Sequence, residues 1–339
     1  MSSDEEKNND QTAQVKAETR EDRKPQADPA LAIDPERLAK MHEDKKRFHR
    51  KRQIKDWAMF TGYLTPSLVG VMLFFFLPLL LILKTSFQRS STNTDFVGFV
   101  NYERVLTNDA FVSAAKNSMT FSGIAVPLSV ILALLLAILL NTKLPGKSIF
   151  RSILLNPMMV PVASVVLIWQ VCFSYNGLAN GWGFYQLFEP DRIDWLKSDH
   201  SQFVILLLFL WKNLGYNMVL FLAALNSIDE EILEAATMDG AGSLRRFFSI
   251  KMYFLAPTLF FVAIMSLINS FKIFREVYLL TGDHPYANLY MLQHFMNNQF
   301  TNLDYSKLSA GAIIMCLFMI VIVGVLFFAE AKFDADVEG

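Results

Sequence analysis

From residue 57 onward, long uncharged apolar runs alternate with shorter polar segments. Six runs, at 58–83, 118–140, 152–174, 203–225, 252–271 and 308–329, each hold 20 or more residues. An α-helix rises 1.5 Å per residue, so about 20 residues cross the roughly 30 Å of hydrocarbon in a bilayer. The expected fold is therefore all-α: an integral membrane protein of six transmembrane helices. Only the fourth run contains a formal charge, Lys212. Pro66, Pro78, Pro127, Pro157, Pro161 and Pro257 lie in or beside the runs. Membrane helices accept such kinks where neighbouring helices or water satisfy the freed carbonyls, which suits a bundle around a pathway.

Residues 1–56 have the opposite character. Up to about residue 34, Asp, Glu, Lys, Gln, Asn and Pro outnumber large apolar groups. Such a stretch buries too little surface to offset the entropy of ordering and reads as a disordered tail. No short hydrophobic core with a small-residue cleavage pattern opens the chain, so no secretory signal is expected. Lys45, Lys46, Arg47, Arg50, Lys51, Arg52 and Lys55 then precede the first run. Cytoplasmic flanks carry the excess of Lys and Arg, which places the amino terminus inside. With six spans, segments 141–151 (Lys143, Lys147, Arg151) and 226–251 (Arg245, Arg246, Lys251) also lie inside, as does the carboxyl tail with Lys332. The expected organisation is a cytoplasmic tail over 1–56 and a six-helix membrane domain over 57–339. The outer segment 175–202, with Trp182 and Trp195, reads as a loop anchored in the aromatic belt.

Composition narrows the function. Of 339 residues 53% are hydrophobic, and the mean hydropathy of +0.31 survives the polar tail. A net charge of -1 leaves no basic surface to neutralise phosphates, so no nucleic-acid partner is expected. Cys172 and Cys316 fall inside apolar runs, where a thiol behaves as a small hydrophobe; neither a disulfide nor a metal site is read from them. His42 and His49 lie in the tail, and His200, His284 and His294 in outer segments. No His-Glu-x-x-His or paired-cysteine spacing occurs, so no catalytic or metal site is expected. The chain also lacks the Gly-x-x-x-x-Gly-Lys-Ser/Thr loop that holds nucleotide phosphates.

The most informative polar segment is 226–251. Ser227 followed by Glu230 reads as a capping box, and Ile228, Ile232, Leu233 and Ala236 recur at helical spacing as one apolar face. Gly240 and Gly242 interrupt this helix. Ser243 is placed to cap a second short one bearing Leu244, Phe247 and Phe248. A helix, a tight turn and a helix, with flanking charges of both signs, suit a groove on another protein. Ala235, Ala236 and Gly240 permit close approach.

Here the sequence resembles a known family. Glu234-Ala235-Ala236, Asp239-Gly240-Ala241 and Ile250 are similar to the loop of permease subunits from bacterial ATP-binding-cassette (ABC) importers. Phe96-Val97-Gly98-Phe99-Val100-Asn101-Tyr102, Asn156-Pro157 with Pro161, and Leu280-Thr281-Gly282 extend the likeness to the MalF-like sugar-permease branch, over nearly all of 57–330. Two departures are Tyr253, where that family often has proline, and Asp283-His284-Pro285 in place of a glycine pair before proline. The resemblance implies a type I importer bundle whose Glu234 to Ala241 form a coupling helix seated in a cleft of a separate ATPase. It further implies a second homologous permease, two nucleotide-binding ATPase subunits, an extracytoplasmic solute-binding protein, and a sugar or oligosaccharide as solute. The bacterial cell membrane is the implied location; ATP is used by the partner, and this chain binds no cofactor. Gly240→Asp or Glu234→Lys is expected to stop uptake while leaving the chain in the membrane.

Polar side chains at membrane depth cost about 2.5–3.5 kcal/mol for a central charge, so they face protein or water. The fourth run carries Lys212, Asn213, Tyr216 and Asn217; the end of the fifth carries Asn269, Ser270, Lys272, Arg275 and Glu276. Tyr216, Asn217, Ser270 and Lys272 are the candidate solute-pathway residues, Tyr216 by stacking on a sugar and Asn217 by hydrogen bonding. Other readings stay open: snorkelling or pairing with a partner subunit for Lys212, and hydrogen bonding between helices for Asn269 and Ser270. A passive six-helix channel, or an importer permease for an amino acid, phosphate or metal, also accommodates six spans with polar residues at depth.

Overall fold

The structure, a computed structural model, describes residues 57–338 apart from 58, 91, 143–144 and 182–191, with side chains to Lys332. The expected tail, its basic run, Lys143 and Trp182 lie outside the described residues. The chain divides into two units between Leu77 and Pro78. Helix α1 (Met59–Ser86) begins in the first and ends in the second. It contains a π turn at Met72–Phe76 that closes with Leu77 N–H on the Met72 carbonyl.

The second unit continues with α2 (Val100–Leu106), α3 (Asp109–Leu140), α4 (Lys147–Met159), α5 (Val162–Phe173) and α6 (Leu178–Gly181). It then runs through α7 (Ser201–Asn226), α8 (Glu230–Met238), α9 (Ser243–Arg246), α10 (Met252–Phe271), α11 (Phe274–Thr281), α12 (Leu292–Thr301) and α13 (Tyr305–Glu338). Among the described residues, six helical segments are long and apolar enough to cross a membrane: Met59–Ser86, Asp109–Leu140, Val162–Gly181, Ser201–Asn226, Ser243–Thr281 and Tyr305–Lys332.

Two boundaries differ from the sequence expectation. The third run, 152–174, is two helices. Val160 adopts ψ 131° ahead of Pro161, because the proline ring crowds the preceding residue out of the helical region, and α5 starts afresh at Val162. The second short helix after Gly242 is not separate either. α9 passes through a π turn at Phe247–Lys251 directly into α10, so the fifth span begins at Ser243.

α7 is the central helix of this unit, packed against α3, α4 and α10. α3 approaches closely because its inner stripe is small: Ala114, Ser118, Ser122, Ala125, Ser129, Ala133 and Ala137, three or four residues apart, are all buried. Helices in lipid gain little from apolar burial against one another, and small residues let backbones meet closely enough for dispersion and hydrogen bonds to hold them. One apolar cluster joins Phe121 of α3, Val165 of α5, Phe209 of α7 and Val277 of α11. A second joins Ala133, Phe221 and Leu255 of α3, α7 and α10. A third joins Phe111, Phe271, Phe295 and Ala310 of α3, α10, α12 and α13.

The α4–α7 contact is tightest at Gly215. A Cβ there would lie 1.8 Å from the Leu154 carbonyl oxygen and 2.4 Å from its carbon. Backbone cannot swing aside as a side chain can, so Gly215→Ala must separate two helices. We expect a loss of about 1–3 kcal/mol, the range for overpacking a close contact, read as a lower melting temperature in detergent.

His294 of α12 is buried with its Nδ1 accepting the Met291 backbone N–H at 3.2 Å and the Phe274 ring edge-on at 4.7 Å. Burial disfavours the charged ring and lowers its pKa to about 4. The unfolded chain, with an ordinary histidine, binds the proton first. Stability is therefore full above about pH 6.5 and falls as the pH drops towards 4, by about 3 kcal/mol in total. His294→Asn, which keeps an acceptor for Met291, is expected to flatten this acid limb in a pH series of melting curves.

Candidate functional site

The segment between α7 and α10 folds as a closed helical hairpin. α7 ends at Asn226 with Ser227 as its C-cap, and the Ser227 hydroxyl donates back to the Ala224 carbonyl at 2.8 Å. The capping box expected at Ser227 and Glu230 is therefore absent. Ser227 still has helical dihedrals, and Asp229, at φ -62° and ψ 129°, is the N-cap of α8 without a side-chain hydrogen bond. Glu230 and Glu231 occupy the first turn of α8, where carboxylates meet the positive end of the helix dipole.

α8 ends in a Schellman cap. Gly240 N–H bonds to the Thr237 carbonyl at 3.0 Å and Ala241 N–H to the Ala236 carbonyl at 2.9 Å, with Gly240 at φ +80°. Glycine is needed there and not at 242, where φ is -66° and ψ 165°. Gly242, and not Ser243 as expected, is the N-cap of α9. The Arg246 guanidinium then donates to the Thr237 hydroxyl at 2.6 Å and ties the two helices together.

Orientation of this hairpin departs from the expected single apolar face. Ile228 is buried, and Leu233 packs with it against the α3–α7–α10 cluster, so these two dock the hairpin on its own bundle. What remains outward is Met238, 88% exposed, Leu244, 76%, and Phe248, 67%, beside exposed Glu234, Ala235, Asp239 and Gly240. Ala236, Ala241 and Ile250 are half-buried at its base. Sequence periodicity missed Met238, which lies off the predicted stripe at the last turn of α8. A hollow of about 390 Å³ under the hairpin is lined by Ile138, Leu233, Leu244, Phe247 and Lys251.

The polar residues of α7 and α10–α11 form a ladder between the two arms that carry the hairpin. Asn217 Nδ2 donates to Ser266 Oγ at 2.9 Å, Asn269 Nδ2 to Asn213 Oδ1 at 3.0 Å, and Lys212 Nζ to Glu276 Oε1 at 2.5 Å. The partners advance in opposite senses along the chain, as antiparallel helices require. Lys212 is thus paired within its own chain. Of the candidate pathway residues, Asn217 and Ser270 are buried, Ser270 sharing a hydrogen bond of 2.7 Å with Ser122 of α3. Tyr216 is half-buried, and Lys272, the C-cap of α10, is exposed. Asn217 and Ser270 thus each bond to a neighbouring helix, Asn217 to Ser266 of α10 and Ser270 to Ser122 of α3.

Taken together, the chain is a multi-pass membrane protein with a solvent-facing helical hairpin set between its fourth and fifth spans. Residues 125–338 match the family described as binding-protein-dependent transport system inner membrane component. The chain belongs to this family of cell-membrane transport permeases. It is 31% identical over 260 residues to the trehalose/maltose transport system permease protein MalF of Thermococcus litoralis, covering 75% of this chain and 88% of that one. It is 31% identical over 270 residues to the arabinooligosaccharides transport system permease protein AraP of Bacillus subtilis, covering 77% and 83%. It is also 28% identical over 276 residues to the sn-glycerol-3-phosphate transport system permease protein UgpA of Agrobacterium fabrum, covering 79% and 93%. Among solved structures, a bacterial ABC transporter involved in the import of the acidic polysaccharide alginate shares the fold. Its TM-score is 0.71 at 19% identity, over 83% of this chain and 98% of that one.

Proposed function

We propose that this permease forms, with a second homologous permease, the translocation pathway of an ABC importer for a sugar or oligosaccharide. In this reading the hairpin from Glu230 to Lys251 is the element on which a separate ATPase acts. The observation that carries the reading is the hairpin itself: a Schellman-closed turn that leaves Met238, Leu244 and Phe248 exposed beside the Glu234 and Asp239 carboxylates. Apolar groups of that size, displayed on a rigid tip, are the anchors of a helix-in-groove contact. A passive channel has no use for such a tip.

The hairpin end and both termini are then cytoplasmic, the positive-inside arrangement. ATP is consumed by the partner, and this chain binds no cofactor and catalyses no reaction. Trehalose, maltose and arabino-oligosaccharides in the names of relatives support a glycan as solute. An alginate importer solved with a pentasaccharide-bound periplasmic protein supports delivery by an extracytoplasmic binding protein. Within the pathway, Tyr216 and Lys272 keep side chains accessible to a solute, whereas Asn217 and Ser270 hold helices together.

Affinity purification of the chain from its native membrane tests this. Recovery of a second permease and an ATPase whose turnover responds to saccharide and binding protein is the expected result. A chain recovered alone, stable and without ATPase, would leave a self-contained channel or carrier as the better reading.

A further inference from the structure

On the flank of the bundle, α3 and α13 leave an apolar furrow between them. Two hollows, of about 450 Å³ and about 280 Å³, follow one another along it and share Met119 and Phe318 as walls. The stretch of α3 from Phe111 to Pro127 that forms one side is about 24 Å long. Among all the lining residues only Lys116 carries a charge. It stands towards the end remote from the hairpin, because α3 starts there at Asp109 and finishes at Leu140, packed with Ile228. The apolar run of α3 opens two residues later, at Ser118, so Lys116 sits at the edge of the hydrocarbon. Among the described residues its ammonium has no hydrogen-bond or ion-pair partner. Asp109 is about 10 Å away along α3, and Asp304 is already paired with Lys307 at 3.0 Å. Lower down, Gly123 leaves the wall open: nothing lies within 4 Å of a Cβ built there.

We infer that this furrow is a binding site for one anionic phospholipid, with an acyl chain along α3 and α13 and the phosphate against Lys116. An empty apolar groove forfeits the dispersion contacts of its walls, so it draws in a chain of methylenes. Width selects the occupant. Spread over about 24 Å, the two volumes give a mean section of about 30 Å², under half that of a helix about 10 Å across. A second helix would lie across the furrow without filling it, whereas a hydrocarbon chain enters. Charge selects the headgroup. A lysine at the hydrocarbon edge extends its ammonium to headgroup level, and one such cation favours an anionic lipid by about five-fold. The lipid belongs to the leaflet opposite the hairpin. The site depends only on the chain's crossing a membrane and not on which solute it carries.

The test is native mass spectrometry of the purified full-length chain, with whatever subunits accompany it, stripped of lipid in detergent. Phosphatidylglycerol, phosphatidylcholine and inorganic phosphate are titrated in separately. The first phosphatidylglycerol is expected to bind about five-fold more tightly than phosphatidylcholine, and phosphate alone not to bind. Lys116→Gln should bring phosphatidylglycerol down to the level of phosphatidylcholine, and Lys116→Arg should keep the preference. Gly123→Leu fills the lower hollow without meeting the chain itself and should weaken both lipids several-fold. The lipid-free melting temperature of that variant should stay near wild type, which separates a blocked furrow from a damaged fold. Equal binding of the two lipids by wild type, full retention of phosphatidylglycerol by Gly123→Leu, or capture of free phosphate as tightly as lipid would each overturn the assignment. So would a photo-reactive residue placed at Met119 that cross-links, in native membranes, to a second polypeptide and not to lipid.

Discussion

Lys212→Ala is expected to destabilise the folded chain by about 3–5 kcal/mol, because it strands the Glu276 carboxylate in a site built for a pair. Glu276 has 5% of its side chain exposed and Lys212 16%, and Glu276 Oε2 has no partner among the described residues. Glu276 is therefore left with little solvent to relieve its charge when Lys212 is removed. Two further variants separate the pair from its charges. Lys212→Met with Glu276→Leu removes both charges and keeps volume, and a buried pair replaced in this way is often as stable as the original. Reversal, Lys212→Glu with Glu276→Lys, restores the attraction with a poorer fit and should recover part of the loss. Melting curves in detergent read all three. A shift below about 2 °C for Lys212→Ala would mean that water or lipid headgroups reach the site and the pair contributes little.

Gly240→Val is expected to reduce uptake by more than about ten-fold while leaving melting temperature and membrane level near wild type. At φ +80° a β-branched side chain strains its own backbone, and an ordinary L-residue there already costs about 1–2 kcal/mol. Nothing lies within 4 Å of a Cβ at this position, so the penalty is conformational and not steric crowding by neighbours. The Schellman turn opens, α8 and α9 lose their mutual angle, and the tip formed by Met238 and Leu244 no longer presents one surface. A shift of about 1.4 kcal/mol in the hairpin's equilibrium is a factor of ten in the competent form. Gly240→Asn, a residue that tolerates the left-handed region, should keep most of the uptake. Equal uptake by the valine and asparagine variants would show that the turn's geometry is not what the partner reads. The Gly240→Asp and Glu234→Lys variants add a charge change to the same surface and test its electrostatics.

Several residues show how far linear pattern reaches. Ile228 and Leu233 are apolar at helical spacing, and periodicity correctly makes them one stripe; it is silent on whether that stripe faces a partner or the chain's own bundle. Here α3, α7 and α10 claim it. Met238 is exposed at the tip because it is the last residue of α8. Its role depends on where the turn falls, and periodicity does not resolve that. Ser227 and Glu230 have the spacing of a capping box, yet α7 runs to Asn226, one residue past its hydrophobic stretch, and takes Ser227 as its own C-cap. Propensity loses there to the continuation of a packed helix.

What sequence alone determined was the solvent and the count: uncharged runs of 20 residues or more have one comfortable medium, and a bilayer's thickness sets how many spans they make. It also located the hairpin, because Gly240 and the residues around it are local chemistry. Tertiary structure decided which polar groups meet. Lys212 and Glu276 are 64 positions apart, and Asn217 and Ser266 are 49; only the antiparallel docking of α7 on α10 and α11 brings each pair to hydrogen-bonding distance. That docking ties Asn217 to Ser266, and the packing of α10 on α3 ties Ser270 to Ser122, so two of the four residues expected to meet a solute are buried. A residue's type states what it can bond, and its neighbours across the bundle decide what is left for anything else.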